Sequence, residues 1–302
     1  MAAKASDART RGVREIPERV TASRPCVVCG RPDWCCYWSD GTALCARVWS
    51  DRPAGSAGWV HKTNAGAAVA TRTAEQEAAD RAKIARHVRL AASALTAGDV
   101  DRIAASLKVP VPAVRAMAGV FVGDDGGGPF DGYAMSSPDD GGGWGVCGYS
   151  RRYGDGSKKT IGRAGLFFPG LMPPGDVLFV VEGYSDVMAM YAAGLPAVGR
   201  PSNIAGAELV TRFVAERVAG DWRAVVVVAE NDEHPDGLWP GMTGAVAVAD
   251  RVRAGLKAVK AGRPVYVRRV PEAAKDPRAW FQLSGYSKAA CDTLRKVLTA
   301  GV

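Results

Sequence analysis

The chain has no apolar run approaching the roughly 20 residues that a membrane-spanning helix needs, although 47% of its 302 residues are apolar. It also has no continuous apolar segment behind the basic N-terminal stretch MAAKASDARTRGVREIPERV, so residues 1–23 read as a flexible leader rather than a secretory signal. No membrane partner is expected, and the cytoplasm is the expected location. Repeats and heptads are missing, and so is any G-x-x-x-x-G-K-[ST] stretch. The last absence excludes an ATP-driven helicase fused in this chain and nucleases built on a P-loop. Acidic residues are the minority, 31 against 39 Lys and Arg, and the formal charge of +8 favours a polyanionic partner.

What is abundant is cysteine in one place. Five of the seven cysteines lie between Cys26 and Cys45, and in a chain without an export signal such crowding favours a metal over disulfides. Cys26 and Cys29 form a C-x2-C knuckle with Gly30 placed for its tight turn. Cys35 and Cys45 can close a tetrahedral zinc site if they flank a hairpin turning at Ser39-Asp40-Gly41-Thr42. Cys36 is a neighbour or alternative ligand, and His61 in GWVHK is a competing fourth ligand. Trp34, Tyr37, Trp38, Trp49 and Trp59 exceed what so small a core can use. Beside Arg31, Arg47 and Arg52 they can stack on unpaired bases or pack the mini-domain. Cys147 and Cys291 lie far away and read as small packed residues.

This cysteine-rich unit spans residues 24–62, and the Ala/Gly/Thr stretch over 63–75 reads as a linker. Apolar spacing predicts a helix from Glu75 to Ala97 ended by Gly98, then a helix over DVDRIAASL capped by Asp99. A break over Val109–Pro112 precedes PAVRAMAG. The pair looks like a helix-turn-helix and equally like an ordinary packing unit. GWGVCGYSRR, KKTIG and GLFFP read as twisted antiparallel strands, completing a mixed α+β segment over residues 76–175.

From Val177 the pattern changes to apolar runs alternating with helical segments, which predicts an α/β fold with a parallel sheet covered on both faces. The strands are Val177–Glu182, Pro196–Arg200, Arg223–Glu230 and Pro264–Val270; the helices are Ser185–Ala193, Ala205–Val218 and Thr243–Ala261. In such sheets the ligand site lies beyond the carboxyl ends of the strands, and those ends are acidic: Glu182, Glu230 with Asp232, and Asp276. Acids gathered at one edge make a site for a hard cation such as magnesium. Asp186, in the first turn of its helix, has complementing the helix dipole as a sufficient role on its own.

VVEGYSDVMAM is similar to the Glu-Gly-Tyr-x-Asp stretch of the Toprim domain in bacterial and phage primases. The family's Asp-x-Asp pair is matched by Glu230-Asn231-Asp232, with Glu where Asp is usual, and its Lys-Asp-Pro phrase by Lys275-Asp276-Pro277. HPDGLWPGMTGA follows where the family has a shorter glycine turn. CVVCGRPDWC resembles the zinc module of these primases, and YSRRYGDGSKKTIGRAGLFFP resembles the basic part of their core.

The resemblance implies a Toprim domain over residues 176–282, followed by a C-terminal helix over 283–302. It implies a DNA primase that makes short primers from nucleoside triphosphates on a single-stranded DNA template. A structural zinc is expected at Cys26, Cys29, Cys35 and Cys45. Magnesium, with manganese as a substitute, is expected at Glu182, Glu230, Asp232 and Asp276. Catalytic work is expected of Glu182, Glu230 and Asp232. Arg151, Arg152, Lys158, Lys159 and Lys275 are expected to contact template or nucleotide. The replicative helicase is then a separate polypeptide, and the short stretch after Trp280 suggests a phage or mobile element. The rival expectation is a non-catalytic zinc and Toprim DNA-binding accessory protein.

Overall fold

The structure, a computed structural model, describes residues 18–21, 24–38, 41–48, 50, 52, 54, 58–62, 74–139, 141–216, 222–233, 237–271 and 273–302. Trp49, the hairpin residues Ser39 and Asp40, most of the leader and the linker over 63–73 lie outside them. The chain divides into two compact units, Met1–Glu77 and Ala78–Val302.

The first unit contains a four-stranded antiparallel sheet among the described residues, in the order β1 (Glu18–Arg19), β2 (Cys36–Tyr37), β3 (Thr42–Cys45), β4 (Trp59–Lys62). Glu18 and Arg19, expected in the leader, instead pair with Tyr37 and Cys36. The β2–β3 hairpin is the one the cysteine spacing anticipates, with Cys36 opposite Leu44. Its core is Val20, Val28, Tyr37 and Ala43 around the buried thiols. Trp34 is 64% exposed. Four apolar side chains contribute too little burial to hold such a unit without a cross-link or metal.

Then come α1 (Ala74–Ser93), whose first turn precedes Ala78, and α2 (Ala97–Leu107) and α3 (Val111–Ala116) of the second unit. The long helix predicted to reach Ala97 stops at Ser93 because Thr96 begins the next one: its hydroxyl accepts the Asp99 amide, and the Asp99 carboxylate accepts the Thr96 amide in return. Thr96, not Asp99, is therefore the cap. The short α3 buries Ala113 and Val114 and packs against α2.

Next come β5 (Val120–Asp124), β6 (Pro129–Pro138), β7 (Trp144–Tyr153) and β8 (Lys158–Gly162), an antiparallel meander in sequence order. The remainder is β9 (Val177–Glu182), α4 (Gly183–Ala192), β10 (Ala197–Arg200), α5 (Ala207–Glu216), β11 (Ala224–Ala229), α6 (Pro240–Ala258), β12 (Val265–Arg269), α7 (Pro277–Ser284) and α8 (Lys288–Leu298). Its four strands are all parallel, in the order β10-β9-β11-β12. Phe167 bridges to Gly199 on the β10 edge, and Leu166 to Ser136 at the end of β6, so GLFFP ties the two sheets together.

Side chains on a strand alternate between faces, and the two cores follow that alternation. Val177, Phe179, Val181, Val226 and Val228 pack with α4, α7 and α8. Leu178, Val180, Val198, Val225 and Val227 pack with α5 and α6. At roughly 1.5–3 kcal/mol for each fully buried aliphatic side chain, these strands hold the sheet without help from the polar residues at its carboxyl edge.

Candidate metal centres and nucleic-acid interface

In the first unit, Cys26, Cys29, Cys35 and Cys45 each place a sulfur within 4.8 Å of the others. Cys29 and Cys35 are 3.7 Å apart and Cys35 and Cys45 3.9 Å, close to the roughly 3.8 Å expected of ligands at a Zn–S length of about 2.3 Å in a tetrahedron. Gly30, at φ +70°, completes the knuckle, and its amide donates to the Cys26 carbonyl at 2.7 Å. The amides of Arg47 and Val48 donate to the Cys45 sulfur at 3.4 and 3.2 Å. Arg47 also reaches Cys29 and Cys35 at 3.9 and 3.8 Å.

Burial pushes the Cys45 thiol up to about 11 and raises Cys35, both against backbone hydrogen bonds. At Cys29, burial is outweighed by hydrogen bonds from the Arg31 amide and neighbouring thiols, and the value falls. Four crowded sulfurs supplied with amide donors fit zinc. Neither open alternative is in the set: His61 Nε2 lies 3.0 Å from the Val48 carbonyl, and Cys36 is outside the cluster.

At the carboxyl edge of the parallel sheet three acids converge, two of them among the four expected. Carboxylate oxygens of Asp186, Glu230 and Asp276 lie within 4.8 Å of one another, with Asp186 and Asp276 buried. Glu182 ends β9, following Val180 on the face that packs with α5 and α6, whereas Glu230 lies one residue beyond β11, beside Gly241 in the first turn of α6. Asp186 is carried there by α4, which opens on Gly183 at a left-handed φ of +77°. Asp276 caps α7 by accepting the Ala279 amide at 2.6 Å, and Asp186 accepts the neighbouring Arg278 amide at 3.3 Å.

Burial, then the charges of Asp276 and Glu230, lift Asp186 well above the carboxylate range. Three hard oxygen donors this close suit a divalent cation, which would relieve their mutual repulsion.

The remaining acids stand around this trio. Asp232 accepts the Gly241 amide at 2.8 Å at the start of α6, an approach only glycine permits, since a Cβ there would come within 2.6 Å of the Asp232 carboxylate. Lys275 Nζ pairs with Glu230 at 3.2 Å. Glu182 is raised by burial and by Glu230, against the pull of Arg200, Lys158 and Lys275. Asn231 donates its side-chain amide to the Val270, Pro271 and Ala274 carbonyls at 3.1, 3.4 and 2.8 Å, bracing the loop that carries Lys275 and Asp276.

Sequence reasoning under-rated Asp186 as a dipole residue, although the Glu-Gly-Tyr-x-Asp stretch held the signal. It missed Arg200 entirely.

The basic residues of the meander divide. Arg151 is paired with Asp125 and lies 4.6 Å from the Phe130 ring centroid, so it is bound up in the fold. Arg152 donates to Ser106 at 3.0 Å. Lys158 and Lys159, exposed on β8, have their ammonium groups 5.5 Å from Tyr184 and 5.2 Å from Tyr153.

No protein-family model matches the chain, and no curated protein sequence matches it. Solved structures do. In the bacteriophage T7 complex of lagging-strand DNA polymerase with primase domains of two gp4 subunits, the likeness covers 64% of this chain and 90% of the other, at 17% identity and TM-score 0.41. The RNA polymerase domain of the Mycobacterium tuberculosis primase DnaG matches over 75% of this chain and 82% of its own, at 17% identity and TM-score 0.47. The zinc-binding and RNA polymerase domains of the Aquifex aeolicus primase match over 75% and 61%, at 13% identity and TM-score 0.46. Among the described residues no helix is long and apolar enough to cross a membrane.

Proposed function

We propose that the protein is a DNA primase that joins nucleotides into short primers on single-stranded DNA, using a Toprim centre with magnesium. The observation that carries this reading is the convergence of Asp186, Glu230 and Asp276 beyond the carboxyl ends of parallel strands, in a chain whose motifs resemble those of Toprim primases. Asp186, Glu230 and Asp276 would hold the ion, which when bound supplies Lewis-acid activation of a 3′-hydroxyl and charge neutralisation at the triphosphate.

The chain's own residues supply the rest. Lys275, beside Glu230, and Lys158, near Glu182, offer cations where phosphates enter. Asn231 fixes the Lys275–Asp276 loop. The zinc unit, with exposed Trp34 and with Arg31 and Arg52 nearby in sequence, holds the template through stacking and charge.

The accessory-protein reading predicts the same DNA binding without synthesis. Incubating the full chain with single-stranded DNA, labelled nucleoside triphosphates and Mg2+ or Mn2+ separates the two: labelled oligonucleotides support the primase, and bound DNA with no product supports the accessory protein.

A further inference from the structure

Arg200 is among the largest fully buried side chains of the molecule, at 1% exposure. It ends β10, and the parallel register sets it opposite Glu182, the last residue of β9. Partners in register share a face. Here that is the face of Val180 and Val198.

One guanidinium nitrogen of Arg200 donates to the Ser202 and Asn203 carbonyls at 3.2 and 2.5 Å, which fixes the head group against its own loop. Nε is buried and has no hydrogen-bond partner. A buried cation with a spare donor persists only where negative charge compensates it. The acids that act on Arg200 are Glu182 and Glu230.

We propose that Arg200 is the resident cation of the Glu182 side of the site, so that the centre takes a single divalent ion, at Asp186, Glu230 and Asp276, and a second cannot settle beside Glu182 while Arg200 is present. Arg200 is a positioning residue here: set opposite Glu182 on the same face, it keeps that carboxylate off the metal. The inference rests on the proposed metal centre and narrows it, since the motif resemblance implies magnesium on Glu182 as well.

Counting bound Mn2+ on the full chain by electron paramagnetic resonance tests this without any activity readout. The wild type is expected to bind one ion, Arg200→Lys one, and Arg200→Gln two. Glu182→Gln is expected to keep the single ion with its affinity changed less than about threefold, and Asp186→Asn to weaken it at least tenfold. Two ions in the wild type, or one in a folded Arg200→Gln, overturns the proposal alone. Should Arg200→Gln not fold, Glu182→Gln decides, because a tenfold loss there makes Glu182 a ligand. No Mn2+ bound by the wild type removes the metal centre itself, and this inference with it.

Discussion

The side-chain amide of Asn231 donates to the Ala274 carbonyl at 2.8 Å, and so joins the end of one parallel strand to the loop that carries Asp276. Three carbonyls converge on the same nitrogen, which only a donor can satisfy. Asn231→Ala is expected to cost about 1–3 kcal/mol, read by chemical denaturation. Asn231→Asp is expected to cost more, because a carboxylate would face carbonyl oxygens. If the aspartate variant is the more stable of the two, Asn231 is not the brace.

The zinc site makes a sharper forecast. Metal-replete protein is expected to carry one zinc per chain by elemental analysis. Serine at Cys26, Cys29, Cys35 or Cys45 abolishes it, while Cys36→Ser and His61→Ala retain it. Chelation is expected to unfold the first unit, whose apolar core is small. Full zinc in Cys26→Ser would contradict the assignment.

How far the sequence discloses this architecture depends on the range of the interactions. The parallel strands are readable because buried β-branched runs such as Ala224–Ala229 have few other stable fates, and the grouping of the four cysteines because knuckle spacing is local. The acid trio is only half readable. Which acids meet depends on how the segments beyond the strand ends turn, and on α7 arriving from far along the chain to set Asp276 beside Asp186. Arg200 gives no pattern at all, because an arginine at a strand end is ordinarily solvated.

Arg151 and its neighbours are expected to behave differently when neutralised. Replacing Arg152, Lys158 and Lys159 with glutamine is expected to weaken single-strand binding and reduce its salt dependence, by about one unit of slope for each phosphate left without its cation. Arg151→Gln is expected instead to lower stability by about 1 kcal/mol, since its partner is Asp125. Binding titrations across salt concentrations, paired with thermal melts, separate the two effects. Equal losses of binding for all four would make Arg151 part of the interface.

The same ion pair gives a pH signature. The hydrogen bond from the Tyr153 hydroxyl, with help from the Gly127 amide and Arg151, holds Asp125 below the carboxylate range against the cost of burial. A depressed value means that the folded state binds fewer protons than the unfolded one. The contribution is therefore complete above about pH 5 and disappears as pH falls below about 4 and through the folded value. The stability gap between wild type and Asp125→Asn is expected to close over that acid range. A gap that widens on acidification would reverse the sign of the coupling.

Primer synthesis by wild type and Asp186→Asn, compared under identical template, nucleotide and Mg2+ conditions, tests the central claim most directly. The substitution preserves size and removes one of three converging charges, so folding is expected to survive because the apolar strands hold the sheet. Product formation is expected to fall at least a hundredfold, roughly 2.7 kcal/mol of transition-state stabilisation. Equal rates in the two folded proteins, or no product from the wild type with any nucleotide, template or divalent ion, would contradict it.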